Sequence, residues 1–101
     1  MRASGAEAME IRFFASLRVK AGTDSCWIDT MEGNATIGEV IGLLDRRLGV
    51  ALRDELIDRE TSSIREGTML VLDGVDIGNL QGLDTPARGA RLDIFPPVGG
   101  G

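Results

Sequence analysis

The sequence predicts an α+β domain: a mixed sheet of four to five strands with one main helix packed on one face. Two observations lead to this. Short apolar segments alternate at period two near residues 10–17, 26–31, 68–72 and 90–95, as half-buried strands do. Only one long segment, from about Thr36 to Leu48, carries its apolar residues at helical spacing.

The first strand is expected over Glu10 to Leu17, with Ile11, Phe13, Ala15 and Leu17 on the buried face and Phe14 on an otherwise polar one. Ala21-Gly22-Thr23-Asp24 is a turn signal. A second strand, Cys26 to Met31, then forms a hairpin with the first, with Cys26 and Ile28 inward and Trp27 outward. Thr36 and Glu39 have the spacing of a capping box, which opens a helix. Ile37, Val40, Ile41, Leu44 and Leu48 form its apolar stripe, and Gly49 stands where a left-handed cap belongs. Gly38 and Gly42 weaken this helix by roughly 1 kcal/mol each and are expected to allow close packing on the sheet. Val50 to Gly67 reads as a short helix or an irregular crossover with a charged, solvated face. Thr68 to Leu72 is a strand, Asp73-Gly74 a tight hairpin turn, and Val75 to Ile77 a short return strand. A loop with turn and capping chemistry, Gly82 to Pro86, precedes the last strand, Ala90 to Phe95.

This order of elements fits the β-grasp, or ubiquitin-like, fold, in which the first and last strands lie side by side at the sheet centre. The domain is expected over residues 9–95, after a disordered lead-in at 1–8. A tail, Pro96-Pro97-Val98-Gly99-Gly100-Gly101, follows at 96–101. Proline cannot donate to a sheet ladder, so a strand running into Pro96 stops there. Glycines without Cβ then make a thread thin enough to enter a narrow site. The six residues after Phe95 span at most about 20 Å when extended, enough to carry the carboxylate of Gly101 into a partner's active site.

Composition narrows the function. A length of 101 residues supports one domain, and a 43% hydrophobic content supports a core. The net charge of −5 argues against nucleic acid and anionic membrane surfaces. A single cysteine forms no internal disulfide and fits a reducing, cytoplasmic setting. There is no histidine, no tyrosine and only one lysine, Lys20. The usual general bases and soft metal ligands are thus nearly absent, and the chain is not expected to be catalytic alone.

Several segments together resemble the MoaD/ThiS family of ubiquitin-like sulfur carriers, most closely the branch that supplies the small subunit of molybdopterin synthase. They are Arg12-Phe13-Phe14-Ala15, Leu17-Arg18, Ala21-Gly22-Thr23-Asp24, Gly33 with Ala35-Thr36-Ile37-Gly38-Glu39-Val40, Val71-Leu72-Asp73-Gly74, Gly82-Leu83-Asp84-Thr85 and Ile94-Phe95-Pro96-Pro97-Val98 with its glycines. The chain departs from the pattern at Arg88-Gly89-Ala90, where relatives often have Asp-Gly-Asp, and in its third terminal glycine. The resemblance implies that Gly101 is the reacting residue. An adenylyltransferase partner would use Mg-ATP to convert its carboxylate to an acyl adenylate, and a sulfur donor would displace AMP to leave a thiocarboxylate. The large subunit of molybdopterin synthase would then take the sulfur. The chain itself is expected to bind no cofactor and no metal.

Phe14, Trp27 and Phe95, on neighbouring strands, are expected to form an aromatic docking patch on the outer sheet face. Cys26 reads better as a small core residue than as a sulfur acceptor. Asp73, Asp76 and Asp84 read better as turn chemistry than as a cation site, and Lys20 better as a loop lysine than as a self-conjugation site. Two other readings share the tail: a ubiquitin-like modifier joined through Gly101 to lysines, and a non-catalytic β-grasp interaction domain. A carrier for thiamine synthesis fits less well, because that branch usually lacks the Phe-Pro-Pro run.

Overall fold

The computed structural model describes residues 8–30 and 34–97. Its strands are β1 (Ala8–Phe13), β2 (Ser25–Asp29), β3 (Ile57–Asp58), β4 (Ser63–Ile64), β5 (Met69–Leu72), β6 (Val75–Asp76) and β7 (Arg91–Phe95). Its helices are α1 (Leu17–Ala21), α2 (Ile37–Leu48) and α3 (Leu52–Leu56). The described residues form a five-stranded mixed sheet in the order β2-β1-β7-β5-β6, beside a two-stranded ribbon of β3 and β4. β1 and β7 run parallel at the centre, with Phe13 opposite Ile94. This is the β-grasp arrangement, with α2 as the main helix.

Met9, Ile11 and Phe13 of β1, Ile28 of β2, Leu70 and Leu72 of β5 and Leu92 and Ile94 of β7 are buried, as are Ile37, Val40, Ile41 and Leu44 of α2. Period two on the strands and period 3.6 on the helix meet in one core. α2 starts where its sequence says. Thr36 Oγ1 accepts from Glu39 N at 3.1 Å, and Glu39 Oε1 accepts from Thr36 N at 2.9 Å. It ends at Gly49, whose φ of 68° only glycine adopts without strain.

The structure corrects several expectations. The first strand stops at Phe13 instead of Leu17, because Ala15 takes a φ of 54° and the chain winds into α1. Ala15 is exposed, while Leu17 reaches the core from the helix. β1 and β2 are antiparallel neighbours as expected, but α1 and Gly22 connect them in place of a tight hairpin. The second strand is Ser25–Asp29; Met31 lies outside the described residues. Ile77 leaves the return strand and, itself buried, opens an otherwise exposed 3-10 turn. The segment from Val50 to Gly67 contains the short helix α3 and, after it, the β3–β4 ribbon. α3 borrows its N-terminal cap from α2, since the Asp45 carboxylate accepts from Leu52 N at 2.7 Å and Arg53 N at 3.2 Å. Gly38 and Gly42 do not serve packing on the sheet. A Cβ on Gly38 would lie 3.4 Å from the Leu83 carbonyl, and one on Gly42 would meet nothing within 4 Å. Of the expected lead-in, only Ala8 falls among the described residues, as the first residue of β1.

Candidate functional site

The root of the tail is the end of β7, a strand paired on both sides. Ile94 stands opposite Phe13 of β1 and Leu70 of β5. Beyond Phe95 the chain enters Pro96, which is buried, and Pro97, which is half-buried. Burial of Pro96, with φ restricted by its ring, gives the exit a defined direction from the middle of the sheet. Val98, Gly99, Gly100 and Gly101 lie outside the described residues.

Among the described residues, strand alternation leaves one sheet face without an element over it. That face carries Trp27 on β2, Glu10 and Arg12 on β1, Arg91, Asp93 and Phe95 on β7, and Met69 and Val71 on β5. Phe14, just past β1, donates its backbone N–H to the Ile94 carbonyl at 3.1 Å, and its ring stacks on Phe95 with centroids 4.4 Å apart and planes 15° from parallel. Met69, opposite Phe95, is 45% exposed. Phe14, Phe95 and Met69 thus form an apolar row at the tail root.

Trp27 shares this face and is 54% exposed, but it is not part of that row. It stands opposite Glu10, four residues before Phe14, which is about 13 Å along a strand. The Arg12 row lies between them. Two of the three aromatics expected in the patch are therefore in contact, Trp27 lies farther along the same face as expected, and Met69 adjoins Phe95. Sequence reasoning missed Met69 because its exposure depends on which strand pairs with β7.

Charged residues flank the row beside Phe14. Glu10, Arg12, Phe14, Arg18, Asp24 and Ser25 help to line a cleft of about 220 Å³. Arg18 arrives there from α1, an element that strand parity concealed. Arg91 Nε lies 3.3 Å from Asp93 Oδ1, a charge contact off the line of a hydrogen bond.

The remaining candidates have local roles. Cys26 packs half-buried against the core; burial pushes its thiol up, and nearby Arg47 partly offsets this. A thiol held neutral is a poor nucleophile at neutral pH. Asp73, at a φ of 49° in its turn, accepts from Ala90 N at 3.0 Å and Arg91 N at 2.9 Å, clasping the start of β7. Asp76 accepts from Gly78 N at 2.8 Å. Among the described residues no group of three or more His, Cys, Asp or Glu side chains is placed to hold a metal. No helix among them is long and apolar enough to cross a membrane. A groove of about 630 Å³ beside α2, lined in part by Gly42, Leu43, Arg46, Arg53 and Leu83, shares no residue with the tail root.

The ThiS family model matches residues 11–101. A comparison with curated proteins finds no match. Among solved structures, the HVO 2177 protein of Haloferax volcanii is 29% identical, with a TM-score of 0.69 over 94% of this chain and 89% of its own. SAMP1 of Haloferax volcanii is 27% identical, with a TM-score of 0.72 over 93% of this chain and 99% of its own. A Pyrococcus furiosus protein assigned as molybdopterin converting factor subunit 1 is 21% identical, with a TM-score of 0.66 over 90% and 98%, which is likeness of fold. With the match running from β1 through the terminal glycines, the chain belongs to the ThiS family of ubiquitin-like sulfur carriers.

Proposed function

We propose that this chain carries sulfur as a thiocarboxylate on Gly101 and donates it in molybdopterin synthesis. The observation that carries the proposal is the tail root. The central strand runs into buried Pro96 beside the stacked Phe14–Phe95 pair, and the sequence continues as Pro97-Val98 and three glycines.

A carboxylate is a poor acyl donor. Its oxygen attacks the α-phosphate of Mg-ATP in the activating enzyme, giving an acyl adenylate and pyrophosphate. Sulfide then attacks the Gly101 carbonyl carbon, the C–O bond to AMP breaks with AMP leaving, the S–H proton passes to solvent, and a thiocarboxylate remains. The apolar row with Arg12 and Arg18 beside it is the docking face for the activating enzyme and for the large subunit of molybdopterin synthase. Such an arrangement places an apolar centre inside a charged rim. The partners supply catalysis, and the chain supplies the carbonyl and the surface. A cytoplasmic setting accords with the single cysteine.

The second reading is a protein modifier, joined through Gly101 to lysines of other proteins. It is favoured by the match to a protein named small archaeal modifier protein 1. Both readings pass through the same adenylate. Intact mass after incubation with the activating enzyme, Mg-ATP and sulfide separates them. Exchange of one oxygen for sulfur at the terminus is expected. Isopeptide-linked products without that exchange would favour the modifier. Deleting Gly100 and Gly101 should abolish both chemistries and leave the fold intact; full function of the truncated chain would make this an interaction domain.

A further inference from the structure

We infer that the groove beside α2 is a self-association surface: its occupant is a second copy of this chain, seated with the two α2 helices antiparallel.

The groove, of about 630 Å³, follows the outer face of α2. Glu39, Gly42, Leu43 and Arg46 stand at helical positions i, i+3, i+4 and i+7, so they share one face, and all four line the groove. Val40, Ile41 and Leu44 turn the other way, into the core. Gly42 leaves an opening, since a Cβ there would meet nothing within 4 Å. Half-buried Leu43 and Leu83 supply the apolar part of the lining.

Charge is divided between the two ends. Glu39 lies in the first turn of α2 and Arg46 in the last, seven residues or about 10 Å apart along the axis. The contact of Gly38 with the Leu83 carbonyl brings the neighbouring Asp84 to the same end as Glu39. The Asp45 carboxylate, which accepts from Leu52 N and Arg53 N, brings Arg53 to the same end as Arg46. The groove is therefore acidic at one end, basic at the other and apolar between. Among the described residues, the side chains of Arg46, Arg53 and Asp84 make no hydrogen bond or ion pair, and Glu39 commits one carboxylate oxygen, to Thr36 N.

Such a groove is complementary to itself turned end for end. A two-fold axis passing between Gly42 and Leu43 sets Glu39 of each copy against Arg46 of the other, and Asp84 against Arg53. Leu43 of each copy enters the opening over Gly42 of the other. Every one of these relations is reciprocal, as a two-fold contact requires. An occupant of one charge sign would leave one end of the groove against like charge, which is costly. The net charge of −5 on each copy opposes approach at long range. At about 0.15 M salt that repulsion is damped beyond about 8 Å, while pairs in contact persist. A contact through one helix face is small, so the dimer is weak and forms at high concentration. The apolar row lies on the sheet face away from α2, so both tail roots stay open in the dimer, whatever Gly101 carries.

Sedimentation equilibrium of the full chain at about 0.15 M salt, from micromolar to millimolar concentration, tests this. A monomer–dimer equilibrium is expected. Arg53→Glu and Asp84→Arg each set like charges together at both ends of the dimer and should raise its dissociation constant at least about tenfold. Mixed in equal amounts, the two variants match again and should form a heterodimer close to the parent in strength, which also shows that both are folded. Gly42→Leu, whose side chain takes the space meant for Leu43 of the other copy, should abolish the dimer and keep the helical circular dichroism of the parent. A parent chain that stays monomeric throughout would overturn the inference and leave the groove to a different protein. Single variants that dimerise as the parent does, or a mixture no stronger than either variant alone, would overturn it as well.

Discussion

Cys26 shows how one residue's environment sets its chemistry. The strand parity that turns Trp27 outward turns Cys26 toward the core, and burial there raises its thiol while Arg47 counteracts part of the shift. The folded chain is therefore expected to react with an alkylating reagent more slowly than a free cysteine peptide at neutral pH, with the rate climbing only above the ordinary thiol range. Arg47→Ala should slow it further, because the counteracting charge is gone; mass-resolved alkylation across pH checks both. The stability sign follows. The unfolded thiol ionises first, so the folded state holds more protons in that window, and stability falls as pH rises through it. An alkylation rate equal to the peptide's would contradict the burial argument.

At the scale of elements, local signals were legible and long-range ones were not. The helix α2 could be read because the Thr36–Glu39 box and Gly49 are short-range chemistry repeated in the structure. Thr36→Ala removes the cap and should cost roughly 1 kcal/mol, read as a lower urea midpoint with an unchanged slope. α1 was concealed because Leu17 continues the parity of Phe13, so strand and helix both place it inward. Only the positive φ at Ala15 separates the two. The two-residue strands β3 and β4 are too short to show a period. α3 depends on a cap from Asp45, seven residues before Leu52, outside any local capping pattern.

At the scale of the whole molecule, the sheet order decides what a partner meets. β7 sits between β1 and β5, which brings Phe14 and Met69 to either side of Phe95. Substituting Phe95 or Met69 by alanine should weaken binding to the activating enzyme at least about tenfold, as residues at the centre of an interface do. Trp27→Ala, on the same face but about 13 Å along the strand, should weaken it much less. Titration calorimetry of each variant with the enzyme measures the difference. A loss at Trp27 as large as at Phe95 would shift the docking centre away from the tail root.

The sequence by itself determined the β-grasp class, the main helix with both ends, the polarity of the final strand and the Pro-Pro-Val-Gly-Gly-Gly tail. Each of these rests on residues close together in the chain, whose conformations are set by sterics and local hydrogen bonds. Tertiary structure decided the rest. It placed Met69 opposite Phe95, brought Arg18 and Arg12 to one cleft, and set Lys20 of α1 beside Glu55 of α3. Those meetings depend on strand pairing and on a helix that local pattern did not show. They are contacts between distant segments, and no periodicity within either segment encodes which neighbour it meets.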